Sequence, residues 1–86
     1  MSAPVTLYST RICPYCVRAK ALLDQKHVAY TEVRVDEQPE KLVEMMQKSG
    51  RRTVPQIFVG DRHVGGFDDL YLLDRSGGLD PLLAGR

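Results

Sequence analysis

With 86 residues, 43% of them hydrophobic, the chain is long enough for one domain, residues 1–86, built around a single modest core. Its 12 Lys and Arg against 11 Asp and Glu leave a formal net charge of +1, which argues against nucleic acid or an acidic membrane as the main partner. Two cysteines cannot build a multi-bridge secreted framework, residues 1–10 lack a charged stretch followed by an apolar run, and no segment approaches the roughly 18 apolar residues of a membrane span, so a soluble, cytoplasmic monomer is expected.

In chain order, Val5-Thr6-Leu7-Tyr8 reads as a first strand, followed by a loop, Ser9-Thr10-Arg11, that leads to Cys13-Pro14-Tyr15-Cys16. Pro14 presets the helical φ and has no N–H to leave unpaired, so it suits the first turn of a helix and pushes Cys13 out of the α region, to the helix mouth. Free backbone N–H groups and the positive end of the helix dipole gather there and favour a thiolate, which makes Cys13 the candidate nucleophile. Cys16 lies one turn on, with Cα atoms roughly 5 to 6 Å away, close enough for a reversible disulfide. The helix runs on to about Lys26 with Cys16, Ala19, Leu22 and Leu23 on its apolar side.

The β-branched and aromatic run Val28 to Val35 predicts a second strand, parallel to the first through a βαβ crossover. Pro39 opens a second helix that Gly50 ends, with Met45 and Met46 as core filler and Glu44 paired to Lys48. Gln56-Ile57-Phe58-Val59 and Arg62-His63-Val64 read as a hairpin turned by Gly60-Asp61. Asp68 is expected to cap a third helix through Arg75, and Asp80 to Leu83 to form one capped turn. Spacing excludes a zinc site for His27 and His63, read as surface histidines, and no metal is expected. The order βαβ-α-ββα, a four-stranded mixed sheet with three main helices, is an α/β chain of the thioredoxin-like fold.

Through Cys13-Pro14-Tyr15-Cys16, Thr53-Val54-Pro55-Gln56-Ile57-Phe58 and Gly65-Gly66-Phe67-Asp68-Asp69, the chain resembles the glutaredoxins over nearly its whole length, most of all the small bacterial dithiol type. The resemblance implies a glutathione-dependent thiol–disulfide oxidoreductase with catalytic Cys13 and Cys16. Glutathione is implied as co-substrate, with no bound cofactor, and NADPH acts only through a separate reductase. By the same resemblance Thr53, Val54 and Pro55, with a cis bond at Val54-Pro55, would pair with an extended thiol peptide. Gly66, Phe67 and Asp68 would hold its γ-glutamyl end, and Tyr15 would line the groove. Many members place a Lys three residues before the nucleophile; here Thr10 stands there, and Arg11 is expected to substitute in part toward the glutathione carboxylate. Arg51 and Arg52 are a solvated basic pair in which either could reach the glycine carboxylate. The implied protein partners are disulfide-bearing or glutathionylated proteins, ribonucleotide reductase among them.

Two other readings follow from the same resemblance. A glutathione-ligated iron–sulfur cluster carrier is disfavoured by Pro14 and the second cysteine, and a redoxin served by thioredoxin reductase is disfavoured by the intact motif from Gly65 to Asp69.

Overall fold

The computed structural model describes residues 3–85, which form four strands and four helices. In order these are β1 (Val5–Ser9), α1 (Pro14–Gln25), β2 (Thr31–Arg34), α2 (Pro39–Ser49), β3 (Gln56–Val59), β4 (Arg62–Gly65), α3 (Phe67–Arg75) and α4 (Leu79–Leu83). The sheet order is β2-β1-β3-β4, with β1 and β2 parallel and the other neighbours antiparallel, the mixed α/β architecture of the thioredoxin-like fold. No helix among the described residues is long and apolar enough to cross a membrane.

Alternation along the strands sends successive side chains to opposite faces, and both faces are covered. Val5 and Leu7 of β1 join Ile57 and Val59 of β3 beneath Ala19 and Leu23 of α1, Leu70 of α3, and Leu79 and Leu83 of α4. Tyr8 and Phe58 point the other way, to Val35 and to Met45 of α2. Each fully buried aliphatic side chain contributes about 1.5–3 kcal/mol of transfer free energy. The two clusters therefore clamp the sheet and fix the C-terminal end of β1, from which the cysteine loop departs.

Several local expectations change. β2 begins at Thr31 rather than Val28, because its partner pairs only from Thr6↔Thr31 to Ser9↔Arg34. Val28 and Tyr30 still pack on the first cluster without joining the ladder. Glu44 does not pair with Lys48: its carboxylate accepts the buried Tyr8 hydroxyl at 2.6 Å and lies 3.4 Å from Lys41 Nζ. Burial and this carboxylate push the Tyr8 hydroxyl up to a pKa of about 12. The C-terminal turn is the short helix α4, which starts at Leu79 behind Gly78.

Candidate active site

Cys13 is the N-cap of α1, in an extended conformation (φ −152°, ψ 97°), and Pro14 is the first helical residue. The two cysteines are joined in a disulfide with Cα atoms 5.1 Å apart, and the Cys16 N–H donates to Cys13 Sγ at 3.1 Å. Cys13 is 9% exposed and Cys16 1%, so the first cysteine is the less deeply buried of the two. Thr10 donates its hydroxyl to the Ile12 carbonyl at 3.4 Å, while the Arg11 N–H donates to Asp36 at 3.0 Å. Asp36 is gripped by Arg34 through two further hydrogen bonds at 3.0 and 2.8 Å, which together with the Arg11 N–H hold its pKa down at about 2. The carboxylate thus pins the loop that carries the cysteines.

Across from the sulfur, Val54-Pro55 is a cis peptide bond, and the Val54 carbonyl oxygen lies 3.8 Å from Cys13 Sγ. A groove of about 200 Å³ runs alongside, lined by Tyr15, Arg51, Thr53, Val54, Pro55, Gly66, Phe67, Asp68 and Asp69. The structure therefore gathers Tyr15, Thr53, Val54, Pro55, Gly66, Phe67 and Asp68 into one cleft. It does not bring in Thr10 or Arg11: neither lines the groove, and the exposed Arg11 is tied to the protein through its backbone.

At the far end of the groove α3 begins, and here the expected cap is corrected. The N-cap is Gly66, not Asp68, and it is Asp69 that reaches back to accept the Gly66 N–H at 3.0 Å. The same Asp69 oxygen accepts from Arg51 Nη1 at 3.0 Å. Asp68, in the first turn and exposed, is left facing the cleft beside the N–H groups of Phe67 and Asp68, which have no acceptor within their own helix. Since Asp68 is not the cap, Asp68→Asn should cost less than about 1 kcal/mol of stability, the usual worth of a first-turn charge. Steady-state kinetics should nevertheless show KM for glutathione raised several-fold, and Asp68→Lys more strongly. An unchanged KM in Asp68→Asn would remove this carboxylate from the site.

The Arg51 guanidinium and the Gly66 N–H hold the Asp69 carboxyl below its ordinary range. A depressed folded value means that the stabilisation is complete above the unfolded pKa of about 3.9 and is lost as pH falls through the folded one. With both partners nearly half exposed, its size is on the order of 1 kcal/mol. Melting curves of the wild type and Asp69→Asn should therefore differ near neutrality and converge in acid. A gap that stayed constant down to pH 2.5 would contradict this role.

Of the basic pair Arg51 and Arg52 only the first lines the groove, and two further contributors, Gln56 and His63, escape a reading of local motifs. The spacing of Arg51 offers a signal: in an extended segment residues i and i+2 share a face, so Arg51 and Thr53 project together. Behind Thr53, the fully buried Gln56 donates to the Thr53 carbonyl at 3.0 Å and hydroxyl at 3.2 Å, and accepts from His63 Nε2 at 2.7 Å. His63 is thus half-buried rather than a surface residue, with its ring 4.9 Å from that of Phe58. Burial and the nearby Arg51 charge push its pKa down. A polar residue opening an apolar strand was the clue, since a buried amide requires partners.

Comparison with known proteins gives a consistent picture. The glutaredoxin family profile matches residues 5–64. Glutaredoxin 3 of Escherichia coli K12 is 56% identical over 81 residues, covering 94% of this chain and 98% of that protein. The solution structure of glutaredoxin from Brucella melitensis is 49% identical with a TM-score of 0.86, covering 99% of this chain and 94% of that one. The crystal structure of a buckwheat glutaredoxin–glutathione complex is 34% identical with a TM-score of 0.87, covering 94% of this chain and 76% of that one.

Proposed function

The chain belongs to the glutaredoxin family and is a glutathione-dependent thiol–disulfide oxidoreductase, and on that premise we propose that Cys13 is its nucleophile, Cys16 its resolving thiol and the cleft from Tyr15 to Asp68 its glutathione site. With a glutathionylated protein, the Cys13 thiolate attacks the glutathione sulfur, the protein thiolate leaves and takes a proton from solvent, and Cys13 carries the glutathione. A second glutathione thiolate attacks that mixed disulfide, so oxidised glutathione departs with both electrons accounted for and the Cys13 thiolate returns. With a protein disulfide, Cys16 attacks the Cys13 mixed disulfide instead, releasing the reduced protein and leaving the Cys13–Cys16 bond, which two glutathiones reopen. The oxidised pair of the structure corresponds to that last state.

The observation that carries this reading is the difference in burial between the two cysteines, with the less buried one at a helix mouth and its sulfur beside the Val54 carbonyl. Extended thiol peptides would pair with the backbone of Val54, and the γ-glutamyl carboxylate would meet the N–H groups that open α3 while Asp68 holds the ammonium. Arg51, beside Thr53, is a cation available to the glycine carboxylate. Glutathione is used as a co-substrate with no resident cofactor. The protein substrates in this reading are disulfide-bearing and glutathionylated proteins, ribonucleotide reductase among them, met by a cytoplasmic monomer.

Cys16→Ser tests the division of labour. Glutathione-dependent removal of glutathione from a mixed disulfide should keep at least about a third of its rate, because that route needs one nucleophile. Reduction of a protein disulfide, which needs the resolving thiol, should fall at least about tenfold. Equal loss in both assays would refute the separate roles.

A further inference from the structure

Between α1 and α3 lies a second cleft, about 260 Å³, lined by Arg18, Ala21, Leu22, Gln25, Phe67 and Tyr71. Phe67 is its one residue shared with the cysteine groove, so the two clefts are neighbours separated by a single ring. A row of aromatic rings marks the path from one to the other: Tyr15 to Phe67 is 6.3 Å between centroids and Phe67 to Tyr71 is 6.0 Å. Tyr15 and Tyr71 are 52% and 43% exposed, so with Phe67 between them they form one continuous aromatic strip open to solvent.

The ends of the row carry charge. Arg18 sits over the Tyr15 ring at 5.3 Å and Arg75 over the Tyr71 ring at 5.8 Å. Neither is paired with a carboxylate among the described residues, which is equally true of Arg11, Lys48, Arg52 and Arg62; what sets Arg18 and Arg75 apart is the aromatic ring beneath each. Arg75 also donates from Nη1 to the Tyr71 hydroxyl at 3.5 Å, and its other N–H groups, like those of Arg18, meet no carboxylate among the described residues, so this face offers an apolar floor with a cation at each end.

We propose that the α1–α3 cleft docks the segment of a protein substrate that flanks its reactive cysteine, taking an apolar side chain on the Phe67–Tyr71 floor and acidic side chains on Arg18 and Arg75. The reading rests on the thiol–disulfide function above. Reach favours this occupant: two ring-to-ring steps of 6.3 and 6.0 Å correspond to about three to four extended residues at roughly 3.3–3.6 Å each, so a chain whose cysteine sits at Cys13 arrives here within a few residues. Glutathione, a tripeptide already held along Thr53 to Asp68, does not need the cleft. The surface therefore separates protein substrates from one another without altering the chemistry at sulfur.

The test uses glutathionylated cysteine and ten-residue peptides with one glutathionylated cysteine and, three to four residues away, a Leu-Glu-Glu, Leu-Lys-Lys or Ala-Glu-Glu run. The run is placed before the cysteine in one version and after it in another. The wild type should show kcat/KM about tenfold higher for one acidic version than for its Lys counterpart, an amount expected of two partly exposed charge contacts, and the gap should shrink at high salt. Arg75→Glu should narrow or invert that preference, and Tyr71→Ser should remove the advantage of Leu over Ala in the run. Both variants should turn over glutathionylated cysteine within about twofold of wild type. Peptides of either charge handled equally by the wild type would overturn the proposal, and so would variants that lose the small substrate and the peptides alike. A concentration-dependent dimer abolished by Tyr71→Ser, with peptide preference intact, would assign the face to a second copy of the chain instead. Failure of the underlying function looks different, since the wild type would then turn over none of these substrates.

Discussion

Cys13→Ser should abolish both glutathione-dependent removal of mixed disulfides and reduction of protein disulfides while leaving the fold in place. Serine cannot form the mixed disulfide on which each route depends, and enzymes typically accelerate by at least about 10⁶-fold, so the loss should read as complete in a turnover assay. The fold should survive because of where Cys13 sits. It is the N-cap of α1, accepting the Cys16 N–H, and serine is among the preferred residues for that position. The proper reference is the reduced wild type, which also lacks the disulfide, and thermal melts should place the variant within a few degrees of it. Residual turnover above the free glutathione rate would mean that Cys16 can act as nucleophile despite its burial. Loss of activity accompanied by a collapsed melt would mean that the substitution reports on folding instead.

Gly65→Ala should be the most damaging small substitution outside the cysteines. Gly65 has a φ of +120°, which side-chain-bearing residues rarely adopt, and a Cβ there would collide with the Asp69 carboxylate. To make room Asp69 must swing away, giving up the Gly66 N–H and the Arg51 guanidinium together. Strained backbone of this kind costs about 1–3 kcal/mol and a lost cap about 1 more. The expected destabilisation of about 2–4 kcal/mol corresponds to a Tm lower by roughly 10–25 °C for a domain of this size. KM for glutathione should rise as well, because Gly66, Phe67 and Asp68 form one end of the groove and their helix would start loosely. The double variant Gly65→Ala/Asp69→Ala separates the causes. If the clash is real, Gly65→Ala costs less in the Asp69→Ala background than alone. Equal costs would leave only the backbone strain.

Features decided within a few residues were legible in the chain. Pro14 and the paired cysteines specify a helix start and its cap locally, and Gly50, at φ +71°, and Gly60, at φ +59°, end α2 and turn the hairpin as their sequence contexts indicate. What the sequence hid was the choice among competing partners. Glu44 had Lys48 one helical turn away yet serves Tyr8, 36 positions distant, because a buried hydroxyl needs an acceptor more than an exposed ammonium does. Adjacent Asp68 and Asp69 are equally good helix-start residues on paper; which one reaches back depends on how β4 delivers the chain at Gly65 and on Arg51, 18 residues earlier. The apolar character of Val28 and Tyr30 marked residues that pack on the first cluster, although the ladder with β1 runs only from Thr6↔Thr31 to Ser9↔Arg34. For the site, the residues carried by three short motifs could be named in advance. The spacing of Arg51 and Thr53 hints at the groove wall, but the backing by Gln56 and His63 depends on a contact across the β3–β4 hairpin that no motif displays.

The order β2-β1-β3-β4 leaves two open borders, each only four residues long. On β2 the border carries Glu32, paired to Lys20 at 3.0 Å, and Arg34, paired to Asp36 at 2.8 Å; on β4 it opens with exposed Arg62 beside a ladder irregularity at Ile57/Phe58. Short, charged and irregular borders resist continuation by a stranger's strand. On the proposed reading, in which extended substrate segments pair with the backbone of Val54, this matters because an extended guest segment is also able to add to an open sheet edge. With the sheet's margins guarded, strand-like pairing is directed to the one loop opposite the sulfur and away from the sheet itself.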